Sequence, residues 1–138
     1  MTRAAPLVRV GHKGADLIAP GNTRESFDAA LAAGVDMLEF DVLPERWMDG
    51  ESELRLAHDY GDLRGRTALT LDEGLDHLAA AGVRLDVDLK GPGYELRVVA
   101  ALRDRGLIER SLVSSQYVES LRLIRAEEIG RASCRERV

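Results

Sequence analysis

Apolar positions along the chain fall into short runs, and four of these runs end in residue types that are common in active sites. Each run is typical of a β-strand that becomes polar at its C-terminal end. Ligands bind at that edge in parallel α/β folds, so the pattern predicts one shared site. The four segments are Val8–Gly14, Met37–Val42, Leu54–Asp59 and Leu85–Lys90.

Helical spacing of apolar residues separates several of these predicted strands. Asn22 is a predicted N-cap, with Glu25 three residues later, for a helix that ends at Gly34. Thr70 and Glu73 have the spacing of a capping box at the start of another helix. Strands that alternate with helices predict βαβ units and a parallel sheet.

The same pattern continues towards the C-terminus, with helices predicted near residues 94–105 and 118–127 around a strand at Ser111–Ser115. The choice of fold is between an open sheet and a barrel. No glycine-rich phosphate-binding turn follows the first strand, and charged strand ends favour a barrel. A complete barrel needs about 250 residues. The predicted fold class is therefore α/β, a (β/α)8 TIM barrel truncated after about five β-strands.

Composition and charge limit the possible partners. The chain has 138 residues, of which 45% are hydrophobic and 31% charged, as in ordinary globular domains. Its formal net charge of -5 argues against nucleic acid as the main partner. No apolar run approaches the roughly 20 residues that span a bilayer, and the first residues lack the apolar stretch of a signal peptide. We therefore expect a cytoplasmic protein with no transmembrane segment and no implied protein partner.

Three carboxylates at the predicted strand ends could bind one cation. Glu39 and Asp41 are two residues apart on one strand, so their side chains share a face. Asp88, from another strand, could complete the set. Ligands that are all oxygen favour magnesium, calcium or manganese over zinc. Such a cation would polarise a phosphoryl oxygen and offset its developing charge.

Two histidines and a lysine could supply the remaining chemistry. His12 and His58 suit general acid and base roles, because the ordinary pKa of histidine lies near working pH. Lys90 could neutralise a phosphate oxygen as a point charge. Metal, acid, base and cation together indicate phosphodiester cleavage.

These residues occur in motifs through which the chain resembles the glycerophosphodiester phosphodiesterases, over residues 7 to about 116. The resemblance implies a (β/α)8 barrel that hydrolyses small glycerophosphodiesters to glycerol 3-phosphate and an alcohol, with a divalent cation, magnesium or calcium, as cofactor. The matching stretches are His12–Ala15, Pro20–Thr23 with Ser26–Phe27 and Ala30, Gly34–Asp36 with Leu38–Val42, Asp49–Gly50, His58–Asp59 and Asp86–Lys90.

The resemblance also assigns roles to individual residues, and the sequence differs from the family pattern at three positions. The family usually has arginine at Lys13, and glutamate at both Gly21 and Asp88; Asp86 could share the role of Asp88. Trp47 and Met48 could cover the substrate alcohol or simply pack within their loop.

The roles that the resemblance implies are catalytic for His12, His58 and Lys90, substrate-binding for Lys13, and metal-binding for Glu39, Asp41 and Asp88.

Two other functions remain open from the sequence. Sphingomyelinase D-like lyases share much of this active site and would release a cyclic phosphate. A non-catalytic phosphodiester-binding member of the family is the second alternative, which Lys13, Gly21 and Asp88 allow.

The C-terminal segment fits no barrel pattern. Residues 128–138 match the in-frame translation of a common short-read sequencing adapter, and the single cysteine, Cys134, lies among them. We therefore expect residues 1–127 to be the N-terminal portion of the barrel and residues 128–138 to be a non-native tail. A barrel cut after its fifth strand has open edges, so we expect this chain to aggregate or remain partly unfolded, and to be inactive by itself.

Overall fold

The computed structural model describes residues 6–136, with side chains up to residue 128, as a β-sheet covered by helices. A short 3-10 helix, Ile108–Arg110, precedes the last strand. The strands are β1 Val10–Gly11, β2 Met37–Pro44, β3 Leu54–Arg55, β4 Arg84–Leu89 and β5 Ser111–Ser115. The helices are α1 Arg24–Ala33, α2 Tyr60–Arg64, α3 Leu71–Ala79, α4 Glu95–Asp104 and α5 Val118–Glu136.

Four of the strands form a parallel sheet in the order β1-β2-β4-β5. The register pairs Asp41 of β2 with Asp88 of β4, and Asp88 in turn with Ser114 of β5. Glu39 pairs with Asp86 in the same ladder. Since side chains alternate along a strand, all the carboxylates lie on one face of the sheet.

The opposite face of the sheet packs against the helices and forms the core. Residues that alternate with the carboxylates along the strands, such as Leu38, Phe40 and Val87, are completely buried. They form one cluster with apolar residues of α1, α3 and α4, such as Phe27, Leu78 and Val98. The sheet thus has one apolar face under helices and one face with acidic residues, as expected for a segment of a barrel wall.

The third predicted strand is wrong in its direction and length. β3 contains only Leu54 and Arg55, and it pairs antiparallel with the end of β2 instead of joining the parallel sheet. Only residues 45–53 connect the two strands. A parallel crossover needs about a dozen residues or more, so this connection allows only an antiparallel return.

The start of the first helix differs from the prediction by one residue. Thr23 is the N-cap, and its side chain accepts a hydrogen bond from the backbone N–H of Ser26. Asn22 instead adopts a left-handed backbone conformation with φ of 61°. The capping box of Thr70 and Glu73 at the start of α3 is confirmed.

The last helix extends beyond the predicted residue 127 and reaches Glu136. The origin of residues 128–138 stays a prediction, and residues 1–5, 137 and 138 lie outside the described part. No helix within residues 6–136 combines the length and apolar character needed to cross a membrane.

Candidate active site

The three carboxylates predicted to bind metal lie together in the structure. Glu39, Asp41 and Asp88 each offer an oxygen, and these oxygens lie within 4.8 Å of one another. The proximity follows from the register, because Asp41 and Asp88 are direct partners and Glu39 is two residues along the same face. The arrangement concentrates negative charge on one face of two neighbouring parallel strands.

Glu39 shows the electrostatic effect of this cluster most clearly. Its Oε1 accepts a hydrogen bond of 2.9 Å from the backbone N–H of Lys13. Burial and the neighbouring charge of Asp41 raise the pKa of Glu39 to about 7, although the Lys13 N–H and His12 act in the opposite direction. A nearby cation would favour the ionised form of Glu39.

Asp41 is 1% exposed and is oriented by Asn22. The Asn22 side-chain amide donates to Asp41 Oδ2 at 3.0 Å, and the Asp41 backbone N–H donates to Asn22 Oδ1 at 3.0 Å. This pair of hydrogen bonds satisfies a completely buried amide. Sequence reasoning missed the role, since asparagine before a helix also suits an N-cap.

Lys90 lies between two of the carboxylates. Its Nζ is 2.8 Å from Asp88 Oδ2 and 3.3 Å from Asp41 Oδ1. Burial lowers the pKa of Lys90, but the hydrogen bond that its ammonium donates to Asp88 and the charges of both aspartates outweigh this effect and raise the pKa overall. Lys90 is therefore held as an ammonium cation at the edge of the carboxylate cluster.

His58 also reaches the cluster, at a longer distance. Its Nδ1 is 3.8 Å from Asp41 Oδ2, and its ring is about half exposed. The backbone N–H of His58 donates to Asp62 Oδ2, and Arg66 binds the same carboxylate. Helix α2, which the sequence did not predict, thus supports the loop that presents His58.

The side chain of His12 is more exposed to solvent than those of His58 and Lys90. Its side chain is 66% exposed, and its Nδ1 is 2.9 Å from Asp16 Oδ2. The structure therefore brings His58 and Lys90 into contact with the carboxylates, whereas the ring of His12 is hydrogen-bonded to a loop residue. Asp16 was not among the predicted site residues.

Two of the differences from the family pattern are linked in space. A Cβ atom on Gly21 would lie 2.8 Å from Lys13 Cβ and 2.9 Å from Lys13 Cδ. The aliphatic stem of Lys13 thus occupies the space that a side chain at position 21 would need. Lys13 itself has a positive φ of 53°, so its backbone directs its N–H towards Glu39.

Asp86 lies beside the cluster without belonging to it. Ser114 donates a hydrogen bond of 2.8 Å to Asp86 Oδ1, and its hydroxyl oxygen is 3.4 Å from Asp88 Oδ1. Burial raises the pKa of Asp86 above its ordinary value. Ser114 therefore connects both β4 aspartates to β5.

Glycerophosphodiester phosphodiesterases are among the solved structures that share this fold. The enzyme from Agrobacterium tumefaciens has a TM-score of 0.70 at 23% identity, with 87% of this chain and 63% of that chain covered. The enzyme from Thermotoga maritima has a TM-score of 0.68 at 20% identity, with 86% and 58% covered. The chain has the fold of these enzymes. The predicted α/β barrel class is confirmed over this part of the barrel.

A third neighbour adds a ligand. A phosphodiesterase from Oleispira antarctica, solved in complex with the product sn-glycerol 3-phosphate, has a TM-score of 0.61 at 22% identity, with 84% of this chain and 60% of that chain covered. The chain thus spans about three-fifths of the length of these structures. No protein-family model and no curated protein matches its sequence.

Proposed function

We propose that the barrel to which these residues belong hydrolyses glycerophosphodiesters to glycerol 3-phosphate and an alcohol, with a divalent cation, magnesium or calcium, as cofactor. The observation that carries this proposal is the cluster of Glu39, Asp41 and Asp88 on one face of neighbouring strands, with Lys90 and His58 beside it. Acidic ligands, a cation and a histidine in one place suit phosphodiester chemistry better than binding alone.

The residues present fit a hard cation. All three candidate ligands are carboxylates whose oxygens lie within 4.8 Å of one another, the donor type that magnesium and calcium prefer. Burial and the charge of Asp41 raise the pKa of Glu39, and a cation bound beside it would favour the ionised carboxylate. When bound, the cation supplies Lewis acidity at a phosphoryl oxygen.

The protein's own residues would then position the diester and move protons. Lys90 and Lys13 offer positive charge to the phosphate oxygens. One of His58 and His12 removes a proton from the attacking water, and the other protonates the leaving alkoxide. Water is consumed, the phosphorus–oxygen bond to the alcohol breaks, and the phosphate stays on glycerol. The product bound to the Oleispira antarctica neighbour is in keeping with this outcome.

Metal binding tests the first half of the proposal on the chain itself. Isothermal titration with magnesium or calcium should show one site, and Asp88→Asn should weaken it at least tenfold. Asp104→Asn, which removes an exposed carboxylate on α4, is the matched control and should leave the affinity unchanged. Equal affinity of the two variants would refute the proposed ligand set.

Turnover tests the catalytic part of the proposal. The test protein is a chimeric barrel, in which residues 6–127 are joined to the C-terminal part of a solved neighbour that this chain does not cover. Metal-dependent release of glycerol 3-phosphate from glycerophosphocholine, lost on His12→Ala, would support hydrolysis. A cyclic phosphate product would favour the lyase alternative. Metal and substrate binding without turnover would favour the non-catalytic alternative.

A further inference from the structure

A cavity of about 190 Å³ opens beside the carboxylate cluster. It lies between the connection formed by residues 45–53, the start of α2 and the turn after β4. His58 and Lys90 form the edge that faces the cluster. The walls away from that edge are mainly apolar or aromatic and include Pro44, Trp47, Met48, Tyr60, Pro92 and Tyr94.

Two large apolar side chains of this cavity are exposed. Trp47 and Met48 are 74% and 70% exposed, and the Trp47 ring packs edge-on against Tyr60 at 5.6 Å. Contact with Tyr60 fixes one side of the indole and leaves the remainder open. Large exposed apolar groups next to a polar site are a common mark of a ligand surface.

Beyond the side chains of Asp59 and Tyr117, the walls offer few hydrogen-bonding groups to a ligand. The Tyr60 hydroxyl donates to Pro44 O, and the Tyr94 hydroxyl donates to Val42 O, each at 2.6 Å. Both phenols are thus committed to backbone carbonyls and present ring surface. A ligand with many hydroxyls would lose most of its water partners here and gain few in return, whereas an aryl or alkyl group has no such hydrogen bonds to lose.

We propose that this cavity is the leaving-group subsite, and that it selects phosphodiesters whose alcohol portion is aromatic or alkyl over those with a polyhydroxylated one. The inference rests on the proposed function for the position of the phosphate, next to His58 and Lys90 at the cavity edge. The cavity then determines which alcohol leaves, while the carboxylate cluster determines that a phosphate binds.

Trp47 provides a direct test, because it is the only tryptophan in the chain. Its fluorescence is to be followed while phenyl phosphate or inositol 1-phosphate, which carries a polyhydroxylated alcohol, is added with magnesium. The two probes share the phosphate and differ in its substituent. We expect phenyl phosphate to change Trp47 emission at a concentration at least tenfold lower than the other probe requires. The subsite would be overturned if both probes changed Trp47 emission at the same concentration, or if phenyl phosphate left the emission unchanged.

A variant of Met48 provides the second test. Met48 has a positive φ of 58°, which asparagine adopts readily, so Met48→Asn should keep the loop conformation. Met48→Asn should remove most of the preference for phenyl phosphate over the other probe. Leu96→Asn, at an exposed apolar residue of α4 outside the cavity, should retain it. The same loss in both variants would count against the subsite.

The outcomes separate this inference from the proposed function. If metal fails to bind the carboxylates but phenyl phosphate still changes Trp47 emission, the cavity stands and the metal chemistry fails. If metal binds and Asp88→Asn abolishes its binding while Trp47 remains unaffected by either probe, the subsite alone is refuted.

Discussion

Asn22 illustrates how one residue can determine the geometry of a charged site. Its amide holds both the carboxylate and the backbone N–H of Asp41 in a completely buried pair of hydrogen bonds. The positive φ at Asn22 directs its side chain back to β2. Partners of this kind usually matter nearly as much as the ligands themselves for metal affinity.

We predict that Asn22→Gly weakens metal binding to the cluster about tenfold. It should also lower the free energy of unfolding by about 1–3 kcal/mol, because a buried polar group loses its partner. Glycine accepts the positive φ, so the change isolates the loss of the amide. Calorimetry and thermal unfolding would measure the two effects.

The neighbouring residue supplies the control for that prediction. Thr23→Ala removes the N-cap of α1 and should lower stability by about 1 kcal/mol. It should leave metal affinity unchanged, since the hydrogen bonds of the Thr23 hydroxyl go to Ser26 and Pro20. Wild-type metal affinity in Asn22→Gly would contradict the positioning role.

Glu39 should make the stability of the metal-free chain depend on pH. Its pKa is about 7 in the folded protein against an ordinary value of 4.5, so the folded state binds more protons between these values. The free energy of unfolding therefore falls as pH rises from about 4.5 to 7. A bound cation favours the ionised form, so metal should stabilise more at pH 7.5 than at pH 5.

Thermal unfolding at several pH values would check this prediction. Glu39→Gln should have a melting temperature that falls less between pH 5 and pH 7.5 than that of the unaltered chain. Glu53→Gln, at an exposed glutamate away from the cluster, should follow the unaltered chain. Parallel curves for all three proteins would show that Glu39 titrates normally.

At the scale of elements, the sequence predicted the strands that matter most for the site. Alternation along β2 and β4 was enough to place Glu39, Asp41 and Asp88 on one face, because a period of two has a single polar side. Alternation says nothing about strand direction, so β3 was assigned to the parallel sheet. The short connection of residues 45–53 was the available signal for an antiparallel return.

Other features of the site could not be read from local patterns. The exposed position of His12 depends on where its loop places Asp16, and loop conformation has no periodicity. The two hydrogen bonds of Asn22 join residues 19 positions apart, so no helix-start motif could reveal them. Helix α2 has only five residues and too few apolar positions to show a helical period.

The connection between β2 and β3 is tied to α4 by one side chain. The Arg97 guanidinium donates from Nη1 to the carbonyls of Gly50 and Ser52. We predict that Arg97→Ala loosens this connection and speeds tryptic cleavage after Arg46 several-fold, because cleavage requires local opening. Arg122→Ala, on the exposed side of α5, should leave the cleavage rate unchanged. Equal rates would show that Arg97 does not restrain the connection.

At the scale of the whole molecule, the parallel sheet has apolar groups at both margins. Among residues 6–136, β1 and β5 each have one edge without a strand partner, with Val10 and Leu112 about half exposed. A groove of about 340 Å³ between α4, β5 and α5 adjoins Leu112. Unpaired edges of this kind favour association between chains.

We predict that the chain self-associates at micromolar concentration, as measured by sedimentation velocity. Leu112→Lys should shift the distribution towards monomer, because a charge on an edge strand opposes pairing. Leu17→Lys, at an almost fully exposed leucine away from the sheet, should have little effect. A monomeric chain with a cooperative thermal transition would contradict the prediction.

The contact between Lys13 and Gly21 has a consequence for how this site can change by mutation. Since the Lys13 stem fills the volume that a side chain at position 21 would need, Gly21→Glu should be harmful while Lys13 is present. Lys13→Gly would remove both clashing atoms, Cβ and Cδ, and glycine accepts the positive φ at this position, so the second substitution should then be tolerated. The effects of the two changes should therefore be non-additive, so the order in which they arise decides whether the intermediate protein still folds.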